Sequence, residues 1–192
     1  NLSILDHLYN QDRFLEAKDD YSDAKIVIIG VPMDFTVSFR PGTRFGPKKI
    51  REASYGLENY SVYADDSLED KSFFDAGDVD IPFGNVKKSL EIIGDVAKDF
   101  VDDGKIPIFL GGEHLISYPI IKKIAEKYPA LVIVHFDAHA DLRDSYLGEK
   151  LSHATVLRRI SEHIKDKHIY HFGIRSGVKE EFLYAKQHTH MH

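Results

Sequence analysis

The sequence contains no cysteine. That single absence removes a disulfide scaffold, a thiolate zinc ribbon and a catalytic thiol together. A basic excess is missing as well: 25 Lys and Arg stand against 31 Asp and Glu, for a formal net charge of −6. No Lys/Arg stripe runs along the chain, so the electrostatic footprint of nucleic-acid binding is absent. Long hydrophobic runs are also lacking. The longest, Ile26–Ile29 and Ala130–Val134, fall far short of the roughly 20 residues that a membrane span needs. The first twenty residues carry Asp6, Asp12, Arg13, Glu16, Lys18, Asp19 and Asp20, which leaves no room for the apolar stretch of a signal peptide. The chain opens on Asn1 rather than Met, so its first residue need not be the natural start. These absences predict a soluble, cytoplasmic protein with neither membrane nor nucleic acid as a partner. No internal repeat, low-complexity tract or linker divides the 192 residues, a length that suits one domain of roughly 100–200 residues.

What the sequence has in plenty is apolar residues, at 43%, enough to bury a real core, and histidine. Ten of its eleven histidines lie from His114 onward, and only His7 precedes that point. Histidine titrates near neutrality and ligates metals, so the asymmetry directs attention to the C-terminal part.

The hydrophobic pattern predicts alternating strands and helices. Lys25–Val31 is a continuous β-branched run that reads as a strand buried on both faces. A loop marked by Pro41, Gly42 and Gly46 leads to Pro47, which can open a short helix through Ser54. Residues 55–71 are polar and irregular, and Phe73–Asp78 reads as a short strand. From Asn85, a candidate N-cap, apolar residues spaced by three and four from Val86 to Val101 give an amphipathic helix stopped by Gly104. The pattern then repeats: a strand at Ile106–Leu110, a helix capped by Ser117, a buried strand at Leu131–Phe136, a helix at Ala154–Ile160, a strand at His168–Phe172 and a helix at Lys179–Lys186. Such alternation predicts an α/β layer system built on a mostly parallel sheet.

The densest chemistry is His135-Phe136-Asp137-Ala138-His139-Ala140-Asp141. In an extended chain side chains alternate, so Asp137, His139 and Asp141 are expected on one side. Two carboxylates and an imidazole converging at the end of a buried strand make a divalent-cation site. Carboxylate and imidazole donors without thiolate suit Mn²⁺ first, and Co²⁺, Fe²⁺ or Zn²⁺ after it. A strand exiting into a polar loop would account for any one of the three, but poorly for all of them. Gly111-Gly112-Glu113-His114 closes the preceding strand, expected to neighbour this one, and His114 would add a fourth ligand. Taken alone, that segment reads equally as a turn before a helix. His135 shares the ligand face and is expected to orient a ligand; His163, His168 and His171 read as structural or surface residues, and His188-Thr189-His190-Met191-His192 as a frayed end.

These two segments, GGEH at 111–114 and HFDAHADL at 135–142, resemble the ureohydrolase family of arginases and agmatinases. Arg40–Pro47 with Ile50–Ser54, Ser152-His153-Ala154-Thr155 and Gly173-Ile174-Arg175-Ser176 extend the likeness over residues 25–182, and they look most like the agmatinase branch. The resemblance implies a three-layer α-β-α, arginase-like fold and a two-Mn²⁺ hydrolase that releases urea from a small cationic guanidino substrate. By matching positions, His114, Asp137, His139 and Asp141 become metal ligands and His153 the residue that hands a proton to the leaving amine. Arginases carry an asparagine two residues after the last cluster aspartate. Here Leu142 and Arg143 follow, which fits agmatine, a substrate without the amino-acid carboxylate. Arg143 is the candidate substrate contact, and as a cation it could also pair with the carboxylate of guanidinobutyrate or arginine. The family further implies a trimer or hexamer.

The family's later D-x-D ligand motif has no counterpart after Asp141, where only Asp144 and Asp166 remain. About four of six expected ligands are therefore present, and the chain reads as the N-terminal two-thirds of the domain, short of its last strands and by itself inactive. An arginase, a guanidinobutyrase and a non-catalytic metal-binding remnant stay open as alternatives. An arginase-fold deacylase is disfavoured by the 40–47 and 152–155 segments.

Overall fold

The computed structural model describes residues 7–9 and 12–192. Residues 1–6 and 10–11, part of the stretch considered above for a signal peptide, lie outside the described residues. Two compact units are distinguished, the first reaching to Phe35 and resuming over Arg40–Glu113, the second made of Thr36–Phe39 and His114–His192.

In chain order the first unit holds β1 (Leu8–Tyr9), β2 (Ile26–Val31), α1 (Gly46–Ser54), β3 (Tyr60–Ser61), β4 (Asp66–Ser67), β5 (Phe73–Val79), α2 (Val86–Asp102) and β6 (Ile106–Gly111). Its main sheet has the order β1-β5-β2-β6, with β5 and β6 parallel to β2 and β1 antiparallel at the outer edge. Val27, Ile29 and Val31 of β2 have no exposed surface, as a parallel strand covered on both faces requires. The Asn85 side chain accepts the Lys88 N–H at 3.1 Å and starts α2, whose Leu90, Ile93, Val96, Ala97, Phe100 and Val101 stripe is buried. Gly104, at φ 75°, ends it. The stretch 55–71, expected to be irregular, contains a small antiparallel hairpin of β3 and β4.

The second unit holds α3 (Ser117–Lys127), β7 (Ile133–Phe136), α4 (Val156–Ser161), β8 (Ile169–Phe172), α5 (Lys179–His188) and β9 (His190–Met191). The three strands form a parallel sheet in that order. Ala140, Leu142, Val156, Leu157, Ile160, Ile169 and Ala185 make its core.

Three expectations need correction. Ser117 does not cap α3; a 3₁₀ turn at His114–Ile116 feeds the helix, and no side chain caps it. The strand at 131–136 is shorter than expected and only half covered, with Val134 56% and Phe136 78% exposed while His135 between them is buried. β6 pairs with β2, and β7 with β8. The terminal histidines are not frayed: His190 pairs with Tyr170 in the ladder and stacks on its ring at 4.5 Å, and His192 stacks on Phe172 at 5.0 Å. Among the described residues no helix is long and apolar enough to cross a membrane.

Candidate metal centre

The residues expected at the site all belong to the second unit. β7 ends at Phe136, although the Asp137 N–H still donates to the Phe172 carbonyl at 3.2 Å. Beyond it the chain leaves the extended form. The Ala138 carbonyl accepts the N–H groups of Arg175 and Ser176, and the Ala140 N–H donates to the Ser176 carbonyl. Asp141 lies at φ 50°, in the left-handed region that Asp tolerates better than most residues. Strict alternation therefore does not bring the cluster together, contrary to the expectation from an extended chain; a loop pinned to residues 175 and 176 does.

The convergence itself is present. Oδ2 of Asp141 lies 2.7 Å from Nδ1 of His114, and Oδ2 of Asp137 lies 3.7 Å from the same nitrogen. The other oxygen of Asp137 accepts the His139 N–H at 2.8 Å, and the His139 ring nitrogen stands 3.4 Å from it, with 65% of that side chain exposed. Burial by itself would raise the Asp137 carboxyl. The His139 N–H and the His114 and His135 imidazoles outweigh burial and hold it below the ordinary carboxylate value.

His135 enters the group more closely than an orienting residue need. Its ring stacks on His114 with centroids 5.4 Å apart, and its Nε2 lies 3.5 Å from Asp137. His114, His135 and Asp137 each offer a ligand atom within 4.8 Å of the others. On its far side His135 shares a proton with His171, Nδ1 to Nδ1 at 2.9 Å. His171 is fully buried, and burial, followed by the neighbouring imidazole, lowers it to about 4, while burial and then His114 lower His135 too. The Nε2 atoms of both rings are buried without a hydrogen-bond partner. Imidazoles beside two carboxylates that crowd onto one imidazole nitrogen are a donor set that fits a divalent cation of the Mn²⁺ type.

His153 and Arg143 lie on the loop that follows. His153 opens a 3₁₀ turn capped by Ser152, and its Nδ1 lies 2.6 Å from the Thr36 carbonyl. A carbonyl only accepts, so Nδ1 carries the hydrogen and Nε2 is left as the basic nitrogen. The Tyr146 ring meets the imidazole edge-on at 5.4 Å, and the Arg143 guanidinium lies over that tyrosine at 5.3 Å. Arg143 is not a free cation, since its Nε stands 3.6 Å from the buried Glu181 carboxylate. His171, Tyr146, Thr36 and Glu181 carry no motif signal. Only parity with Asp137 could have drawn His135 into the ligand group.

The arginase family model matches residues 24–192. An agmatinase of Bacillus anthracis is 52% identical over 182 residues, covering 95% of this chain and 63% of that protein. Among solved structures, a provisionally named agmatinase from Clostridium difficile superposes with a TM-score of 0.87 at 43% identity, over 90% of this chain and 63% of its own. The agmatine ureohydrolase of Thermoplasma volcanium gives 0.84 at 33% identity, over 98% of this chain and 64% of its own. The chain thus spans 63% of the length of the curated relative at 52% identity.

Proposed function

Since the chain belongs to the arginase family, we propose that it is part of a two-manganese ureohydrolase that cleaves agmatine to putrescine, a polyamine precursor, and urea. The observation that carries this reading is the pair of carboxylates, Asp137 and Asp141, meeting at one nitrogen of His114. The agmatinase relatives support the choice of substrate. His114, Asp137, His139 and Asp141 would hold the metal ions. When bound, two divalent cations supply Lewis acidity at the guanidino group and lower the pKa of water.

The remaining chemistry belongs to side chains. His153, fixed through Nδ1 on Thr36, keeps Nε2 to carry a proton to the departing amine. Arg143 is the candidate contact for the substrate's tail. An unbalanced guanidinium there would repel a cationic substrate, and the Glu181 carboxylate offsets it.

The reading also treats residues 1–192 as a single domain unit, the N-terminal two-thirds of the family's domain. It is supported by the 63% share of the relatives' length and by a ligand set that stops after Asp141. On this reading the chain alone is inactive, and the intact protein is a cytoplasmic homo-oligomer, a trimer or hexamer by resemblance. The test is urea release by the full-length protein with Mn²⁺. Agmatine should be cleaved much faster than arginine or guanidinobutyrate, and His153→Asn should lower kcat by about 100-fold or more. Equal or faster turnover of arginine would overturn the substrate assignment.

A further inference from the structure

Glu181 is 3% exposed, and beyond offsetting the Arg143 charge it has no part in the proposed chemistry. A buried carboxylate must be satisfied by hydrogen bonds or charge, and here each oxygen has a separate task. Oε2 accepts the N–H of Val178, the usual reach-back of a third helical residue to the start of its own helix. Oε1 crosses to another segment and accepts the N–H of Leu142 at 2.9 Å.

That second bond falls at a critical place. The Leu142 N–H and the Asp141 carbonyl belong to one peptide plane. The carbonyl accepts the Leu157 N–H at 3.0 Å, at the start of α4, and the N–H is held by Glu181 from α5. The plane is therefore gripped at both ends. Gripping it fixes the ψ angle of Asp141, a residue held at φ 50° whose carboxylate touches His114. The direction of that carboxylate depends on the grip. Arg143, one residue further on, is held by the same carboxylate at 3.6 Å.

We propose that Glu181 is a positioning residue of the metal centre: by clamping the Asp141–Leu142 peptide between α4 and α5 it aims the Asp141 carboxylate, and it balances the charge of Arg143 beside the substrate path. The inference rests on the ureohydrolase reading for its substrate arm, while its metal arm stands on the site geometry. A glutamine can accept only one of the two N–H groups, and its own NH₂ then faces the other.

The experiment is a Mn²⁺ titration of the full-length protein, followed by electron paramagnetic resonance. Glu181→Gln should weaken Mn²⁺ binding about tenfold or more, as loss of a residue that supports a metal ligand does. At saturating Mn²⁺ it should regain most of its kcat while keeping a raised KM for agmatine, a split that general loss of folded protein would not give. Arg143→Met, which leaves the clamp intact, should keep Mn²⁺ affinity within about twofold of wild type. Should Glu181→Gln fail to fold, replacing Leu142 by its α-hydroxy acid removes the one N–H and should weaken Mn²⁺ to the same extent. Unchanged Mn²⁺ affinity in folded Glu181→Gln, or in the Leu142 ester, would overturn the inference. Wild-type protein that binds Mn²⁺ but releases no urea from agmatine would instead overturn the functional reading.

Discussion

The two units treat buried charge in opposite ways. In the first, Arg51 is 1% exposed and saturated: Nε and Nη2 grip Asp75 at 2.7 and 2.8 Å, Nη1 grips Asp78 at 2.5 Å, and Nη2 also donates to the Gly77 carbonyl. Even the backbone is fitted to it, for a Cβ on Gly30 would overlap the Asp78 carboxylate. In the second unit several buried polar groups are left incomplete. The side-chain atoms found buried without a hydrogen-bond partner among the described residues, on His135, Arg159 and His171, all lie there, and two carboxylates crowd one nitrogen of His114. Charges that complete one another hold a fold together; charges left incomplete are available to something else. The first unit is built as scaffold and the second as a site.

The largest effects should come from breaking the saturated set. Arg51→Met keeps the volume but leaves Asp75 and Asp78 buried without their counter-charge. It should cost about 3–5 kcal/mol in denaturant unfolding. Molecules that remain folded should bind Mn²⁺ with the wild-type constant. The second unit should answer in the reverse sense. Asp141→Asn preserves the tolerance for a left-handed backbone. It should weaken Mn²⁺ binding by at least about 100-fold while changing the metal-free stability by less than about 1 kcal/mol. A large loss of metal-free stability in Asp141→Asn would erase the contrast, because the cluster would then be structural.

The same contrast explains what the sequence made legible. Burial on both faces of a parallel sheet writes a continuous apolar run, so Ile26–Val31 is readable, as are the α2 stripe and its Asn85 cap. The arginase-like α/β fold expected from the motifs agrees with the solved structures at TM-scores above 0.8. Asp137, His139, Asp141 and His114 are readable because short motifs carry them. β9 is not, because its pairing depends on stacking of His190 and His192 against Tyr170 and Phe172 rather than on apolar periodicity. Arg51, His171 and Glu181 are single polar residues far along the chain from their partners, and only the folded backbone creates their contacts. The 137–141 loop defeats a strand-based argument because hydrogen bonds to residues 175 and 176 shape it.

A pH series should sharpen the comparison at intermediate size. His171 is held near 4 in the folded protein against an ordinary 6.5, chiefly by burial. Above pH 6.5 both states leave it neutral. Between 6.5 and 4 the unfolded chain takes up a proton that the folded one refuses, so stability falls as the pH falls. From pH 7 to pH 5 this amounts to about 2 kcal/mol for His171. His135 and His163, also lowered, act in the same direction, whereas lowered Asp137 acts only at more acid pH. Urea midpoints of the metal-free protein should drop over that range, and His171→Leu should flatten part of the drop. A profile of identical slope in His171→Leu would mean that this imidazole titrates alike in the folded and unfolded states.

The smallest effect tests whether the two units are separable at all. Asn85 supports α2 through one bond, from the Lys88 N–H, and the Ser89 N–H bond to the Asn85 carbonyl is untouched by the side chain. Asn85→Ala should therefore cost about 1 kcal/mol, the usual penalty for losing an N-cap acceptor. Asn85→Asp keeps the acceptor and adds a negative charge at a helix start, so it should be neutral or slightly stabilising. Both effects are local to the first unit. Mn²⁺ affinity, measured beside the denaturant midpoint, should stay at the wild-type value in each variant. A cap mutation that shifts metal affinity more than about twofold would show that the scaffold's stability feeds directly into the geometry of His114, Asp137 and Asp141.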